Sequence, residues 1–222
     1  MSVTAPGGFL ATGLAAGIKP EGRLDLAVVA STTAAIGAAV FTTNRAAAAP
    51  VTLSRGHLDR GSATRAVVLN SGCANAGTGE AGMANAQLTA DVAAEELGCA
   101  VDEVLVCSTG GIGMPLPVDR VLEGVVRAVP QLADVAGAGT AAALAIMTTD
   151  TVPKESVSHG RGFTVGGMAN VAAKVRPHMA PICVVRSTAA SVAPDIHDRV
   201  LRRAVDGSFH ALNIDGCPST ND

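Results

Sequence analysis

The sequence predicts an α/β fold with layered sheets and helices on the outside. Three observations carry that reading. Short apolar runs of strand length end in loops rich in Gly, Asn, Ser and Thr. Longer segments between them repeat apolar residues at helical spacing. The two kinds alternate without the strict rhythm of successive βαβ units, and no internal repeat is visible.

Residues 26–30 and 38–42 are short apolar runs on either side of Thr33-Ala34-Ala35-Ile36-Gly37, a pattern that predicts paired strands. Residues 66–70 form a β-rich run leading into 71–79, a loop of turn residues. A helix is expected over 81–97, with Met83, Leu88, Val92, Ala93 and Leu97 near helical spacing and Gly98 at its C-terminal cap. Residues 104–107 read as a buried strand that runs into the glycine loop 108–113. A helix over 117–129 places Val118, Val121, Leu122, Val125 and Val126 on one face, and Pro130 ends it. The alanine-rich 136–147 is a further helix, and 162–168 and 182–188 read as strands. The clearest amphipathic helix spans 194–209, with Ile196, Val200, Leu201, Ala204 and Val205 expected to face in and Arg199, Arg202 and Arg203 out. Residues 213–215 are a last strand candidate, and 219–222 have the composition of a loop rather than a domain end.

A chain of 222 residues can bury a real core as one large domain or two small ones. Apolar residues make up 48% of it but aromatics only 2%, so the core must be built from Ala, Val, Leu and Ile. Such side chains favour close backbone approach, which the 25 glycines fit. A net charge of −3 and the lack of Trp and Tyr leave neither a basic footprint nor stacking platforms, so no nucleic-acid partner is expected. Cys73, Cys99, Cys107, Cys183 and Cys217 form no CxxC pair and no even framework. They read as reduced thiols of a cytoplasmic protein, with no structural metal. The N-terminus lacks a basic start followed by an apolar run, and the run 27–40 is broken by Ser31-Thr32-Thr33, so neither a secretory signal nor a membrane span is expected.

Three segments carry chemistry. In Ser108-Thr109-Gly110-Gly111-Ile112-Gly113, a strand enters a tight turn whose N–H groups can point at an anion. No Lys follows Gly113 and the glycine spacing is not that of a dinucleotide site, so no cofactor is implied. The loop is then either a plain turn or an oxyanion hole. In the second case Thr109 and Gly110 supply donors about 3 Å from the developing charge. Thr148-Thr149-Asp150-Thr151 reads either as a capping turn or as a loop offering hydroxyls to a polar ligand. The third segment is Gly166-Gly167-Met168-Ala169-Asn170 followed by Pro177-His178-Met179-Ala180-Pro181-Ile182.

Together these segments resemble the ornithine acetyltransferase family. Its Ser-Thr-Gly-x-Ile-Gly segment matches 108–113, and its Ile-Met-Thr-Thr-Asp-Thr-x-Pro-Lys signature matches 146–154 at every fixed position. Phe41-Thr42-Thr43-Asn44-Arg45 and Ala49-Pro50-Val51 match an early strand and loop. Residues 70–79 resemble the family's Asn-Ser-Gly-Asn-Ala-Asn-Ala-x-Thr-Gly, with Cys73 replacing an Asn. Residues 215–222 resemble its Asp-Gly-Asp-Thr-Ser-Thr-Asn-Asp, with Cys217 and Pro218 departing. The resemblance implies a layered α-β-β-α sandwich and an N-acyltransferase of arginine biosynthesis. Such an enzyme cleaves itself at an Ala–Thr bond, and the freed Thr, activated by its own amine, moves acetyl from N-acetylornithine to glutamate. By the same resemblance Thr109 and Gly110 are oxyanion donors and Thr148 contacts substrate. Residues 1–180 correspond to the family's α chain and 181–222 to the start of its β chain. Family members carry a further half, so one incomplete domain is expected, with a homo- or hetero-oligomeric partner.

The reactive positions depart from the family. Asn170 stands where a substrate-binding Lys is expected, and Pro181 where the nucleophilic Thr is expected. Proline has no hydroxyl, so it can neither attack the preceding carbonyl nor hold an acetyl ester. The resemblance together with this substitution predicts a chain that is inactive by itself: an inactive homologue that binds ligand or a partner, or a non-functional copy. Cys183, two positions on, reads as a core cysteine rather than a substitute nucleophile. His178, Ser187 and Thr188 read as ordinary loop and strand residues. The intact mass of the purified protein is therefore expected to show no break at Ala180–Pro181, and a fragment starting at Pro181 would contradict this.

Overall fold

The computed structural model describes residues 2–61, 63–171, 182–211 and 219–221. It has the layered α/β architecture expected from the sequence. The strands are β1 Phe9–Leu14, β2 Leu26–Ile36, β3 Ala63–Cys73, β4 Val104–Gly111, β5 Lys154–His159, β6 Thr164–Val171 and β7 Ile182–Thr188. The helices are α1 Ala49–Arg60, α2 Gly79–Leu97, α3 Val118–Ala128, α4 Ala136–Ala145 and α5 Pro194–Asp206. Among the described residues, the strands form one sheet of order β1-β2-β3-β4 and another of order β5-β6-β7. All neighbours are antiparallel except β3 and β4, which run parallel and are joined by the crossover helix α2.

Side chains alternate across the first sheet with the two-residue period of a strand. Leu26, Val28 and Val68 face one side, where Leu53 of α1, Ala90 and Ala93 of α2 and Val121 and Val125 of α3 meet them. Ala27, Val29 and Leu69 face the other side, against Ala142, Ala143 and Ala145 of α4, Ile146, and Met168 and Val185 of the second sheet. Neither cluster contains an aromatic side chain, as the composition required. Small residues bring backbones together instead. A Cβ added at Gly13 in β1 would overlap the Ala141 carbonyl of α4.

The helix α1 escaped sequence reasoning because its inner face is partly polar. His57 and Ser54 are buried there. The His57 Nδ1 lies 2.7 Å from the Val104 carbonyl, and the Ser54 hydroxyl donates to Val106 O at 2.8 Å and accepts from Val106 N at 2.9 Å. These contacts satisfy backbone groups of β4 that no strand covers. The hairpin strand β5 and the strand β1 were also missed. Both are short, and the exposed side chains of β5 hide any periodicity.

Other expectations need correction. Residues 38–42 form no strand; β2 instead continues through a bulge between Ala30 and Ala35, up to Ile36. Each edge of β2 is already taken, by β1 and β3, so 38–42 finds no edge there to pair with. The 38–42 segment is tied down by side chains: the Arg55 guanidinium lies over Phe41 and donates to Thr42 O, and the Thr42 hydroxyl donates to Ser219 O. The strand at 104–107 extends through the expected glycine loop to Gly111. The helix α2 ends at Gly98, with φ of 63°, as expected, but its buried face is Gly82, Ala86, Thr89, Ala90, Ala93 and Ala94, and Leu88 is exposed. Alanines line this buried face, while Met83 and Val92 pack against the core at its margin. No residue of α5 is buried among the described residues, and Val200, expected to face in, is 57% exposed. The strand candidate at 213–215 lies outside the described residues. Replacing Gly13 with Ala is expected to lower stability by about 1–3 kcal/mol. The measurement is a drop in urea midpoint at unchanged slope.

Candidate active site

The parallel pair β3–β4 keeps register to its end, matching Asn70 with Ser108, Ser71 with Thr109, Gly72 with Gly110 and Cys73 with Gly111. In open α/β sheets, ligands bind beyond the carboxyl ends of such strands. Gly110 has φ of +137°, and a Cβ there would overlap the carbonyl carbon of Gly72. Only glycine permits this approach. Side chains then lock the two strand ends. The Ser108 hydroxyl donates to Asn70 Oδ1 at 2.6 Å, and Asn70 Nδ2 donates to Cys73 O at 2.9 Å. Asn221 Nδ2 donates to Ala74 O at 2.6 Å and to Ser108 O at 2.9 Å, and Ala48 N donates to Thr220 O at 2.8 Å. Residues 219–221 are thus seated on the same strand ends.

Thr109 is 3% exposed, and its hydroxyl has no hydrogen-bond partner among the described residues. A buried polar group left unpaired costs about 1–3 kcal/mol, so an orphan hydroxyl at a strand end calls for a reason. The register partner of Thr109, Ser71, links this strand end to the Thr148 loop: its hydroxyl donates to Ala145 O at 2.5 Å. Asn170 is fully buried, donates from Nδ2 to Ile146 O, and lies 3.3 Å from the Thr148 hydroxyl oxygen. Its Oδ1 is also without a partner among the described residues. Both open readings of 148–151 find support in the geometry. Asp150 Oδ2 accepts from Thr148 N at 3.1 Å, as a capping residue would, and Asp150 pairs with Lys154. The Thr148 side chain meanwhile meets Asn170, beside the strand ends. The structure therefore gathers Thr109, Gly110, Thr148 and Asn170 around one region. Pro181, His178 and Cys217 lie outside the described residues. Cys183 packs against the cluster that includes Met168 and Ile146, as a core cysteine would. Among the described residues no group of side chains could hold a metal ion, and no helix is long and apolar enough to cross a membrane.

Two residues of this region were missed from the sequence. Asp25, fully buried, accepts four backbone N–H groups: Ala16 N at 2.6 Å on Oδ1, and Gly17, Ile18 and Lys19 N at 3.1, 2.6 and 2.8 Å on Oδ2. Lys19 then extends its Nζ to Leu24 O at 2.9 Å, Ala145 O at 3.4 Å and Met147 O at 2.5 Å. Burial pulls the Lys19 ammonium down from 10.5 to about 8. Arg23 adds to the fall, and Asp25 and Asp150 oppose it. The signal that could have found them is the Gly17-Ile18-Lys19-Pro20-Glu21-Gly22 turn, which holds one of only three lysines in the chain, Lys19, Lys154 and Lys174.

The chain matches the ArgJ family model over residues 10–222. It is 50% identical to the arginine biosynthesis bifunctional protein ArgJ of Streptomyces coelicolor, over 100% of this chain and 57% of that protein. It is 47% identical to the corresponding protein of Geobacter sulfurreducens, over 97% of this chain and 55% of that one. Among solved structures, an ornithine acetyltransferase from Mycobacterium tuberculosis, complexed with ornithine, superposes with a TM-score of 0.75 at 46% identity. That match covers 81% of this chain and 96% of the other. An ArgJ structure from Bacillus halodurans gives a TM-score of 0.68 at 30% identity, covering 86% and 91%. This chain belongs to the ArgJ family. It spans little more than half the length of the curated relatives, 57% of the Streptomyces coelicolor protein.

Replacing Asp25 with Asn puts an NH2 group against backbone donors and removes the charge from those hydrogen bonds that remain. It is expected to destabilise the fold by about 3 kcal/mol. Chemical denaturation checks this, and an unchanged midpoint would remove Asp25 from the account.

Proposed function

We propose that this chain binds amino-acid ligands of the N-acetylornithine, ornithine and glutamate kind beyond the carboxyl ends of β3 and β4, and that residue 181 carries no acetyl group. The observation behind the reading is the orphan hydroxyl of Thr109, buried at a strand end. A donor held in place before the ligand arrives is what an acyl oxygen needs, because no reorganisation is then required at binding. In this reading Thr109 and Gly110 take the acyl oxygen and Thr148 takes the polar head of the amino acid. The Thr148 hydroxyl accepts from Asn170, which leaves its own hydrogen to donate. The carboxamide of Asn170 stands where the family resemblance expects a Lys; its Nδ2 hydrogens go to Ile146 O and the Thr148 hydroxyl, so a ligand carboxylate meets no cation there.

The ornithine acetyltransferase reaction passes acetyl through a Thr ester. Pro181 has no oxygen to form one. The chain thus keeps the framework of the acyl site and lacks the atom that makes the relay covalent. The reduced-thiol pattern of its cysteines fits a cytoplasmic setting. A second reading, acetyl transfer through a thiol, has one observation in its favour. Cys183 is the cross-strand partner of Asn170, which places the two side chains on one face of the sheet.

A thermal melt and an intact mass distinguish these readings. N-acetylornithine or N-acetylglutamate at 100 times Kd is expected to raise Tm by about 5–10 °C, with no change in mass. A species one acetyl group heavier would replace the binding reading with the thiol one, and no shift with any of these ligands would refute both. Thr109→Val removes the orphan hydroxyl. It is expected to leave the melting temperature without ligand unchanged or slightly raised, and to weaken ligand binding about fivefold to tenfold.

A further inference from the structure

Lys19 serves none of the roles given so far, yet three carbonyls converge on it. Its Nζ reaches Leu24 O, Ala145 O and Met147 O, and Ala145 O also accepts from Ser71. Ala145 and Met147 lie at the C-terminal end of α4, where helix carbonyls have no partners of their own and a donor is favoured. Met147 immediately precedes Thr148. The base of Lys19 is itself held, because its N–H is one of the four gathered by the Asp25 carboxylate. A rigid anchor at Asp25 therefore passes through one side chain to the segment that presents Thr148.

We propose that Lys19 is a positioning residue that fixes the Ile146–Thr148 segment, and through it the Thr148 hydroxyl, for the ligand. The proposal rests on the ligand reading above. The charged groups that face Lys19 are Asp25 and Arg23 from the segment before β2, and Asp150 from the loop after α4, which is paired with Lys154. Their balance leaves the buried amine easier to deprotonate than a solvated one. The docked arrangement then favours the neutral amine, whose two hydrogens still serve Leu24 O and Met147 O, while Ala145 O keeps its hydrogen bond from Ser71. Docking therefore tightens as pH rises through about 8, and gains nothing further once a released amine would also be neutral.

Hydrogen exchange of the Ile146, Met147 and Thr148 amides reads this directly, since they donate to Ala142 O, Leu144 O and Asp150 Oδ2. In the unsubstituted protein their protection, corrected for the intrinsic rate, is expected to rise about tenfold between pH 7 and pH 9. In Lys19→Met it is expected to be about tenfold lower and independent of pH. Lys19→Arg restores donors that cannot titrate in this range, so protection is expected to recover in part and stay flat with pH. The affinity for N-acetylglutamate, which has no amine to titrate, is expected to follow the same pattern. Amides in β2 and β3 report global stability, and if Lys19→Met does not fold, the flat profile of Lys19→Arg carries the test. Unchanged protection in Lys19→Met, or a pH response that persists in Lys19→Arg, overturns the proposal. So does a loosened segment whose ligand affinity is unaltered. If the unsubstituted protein binds no such ligand at any pH, the ligand reading fails, and exchange alone then decides whether Lys19 holds the segment.

Discussion

The close approach of Gly72 and Gly110 is the constraint on which the rest of the site depends. With φ of +137° at Gly110, a Cβ there would run into the Gly72 carbonyl carbon instead of standing out from the sheet, so only glycine lets the two backbones meet this way. That contact keeps β3 and β4 in register to Cys73 and Gly111, which brings Asn70 within reach of Ser108 and lines Ser71 up with Thr109. Ser71 then reaches across to Ala145 at the end of α4. A residue larger than glycine at position 110 would part the strand ends and separate the two halves of the site at once.

A second anchor works from the other side. The Asp25 carboxylate gathers the 16–19 turn, and the Asp25 carbonyl accepts Ser71 N at 2.8 Å. One residue thus holds both the turn that carries Lys19 and the strand that carries Ser71. Charge-assisted hydrogen bonds to backbone N–H groups are worth roughly twice neutral ones. A single buried carboxylate with four of them can therefore define a turn that has no regular secondary structure.

The substitutions at Asn170 and Pro181 contrast with this intact scaffold. Asn170 has been absorbed into the packing: it is buried and donates to Ile146 O, bridging β6 to the end of α4. Asn170 thus makes a structural link and carries no charge. At position 181 the proline ring has no hydroxyl with which to attack or hold an acyl carbon. Framework and reactive groups respond to different demands, packing in one case and a specific atom in the other. One can persist without the other.

The family resemblance was enough to bring Thr109, Gly110, Thr148 and Asn170 forward as candidates, and apolar periodicity, alanine-rich composition and short apolar runs marked α3, α4 and most of the first sheet. The end of α2 at Gly98 and the aromatic-free core were equally legible, since a cap residue and composition act locally. The sequence by itself also shows that residue 181 has no hydroxyl, since that needs no coordinates. Only the tertiary structure decided the roles of Asp25 and Lys19, the buried polar face of α1 and the exposure of Val200. Each of these depends on which distant backbone groups lie nearby. A carboxylate facing four N–H groups, or an amine facing three carbonyls, leaves no periodic trace in a chain read one residue at a time.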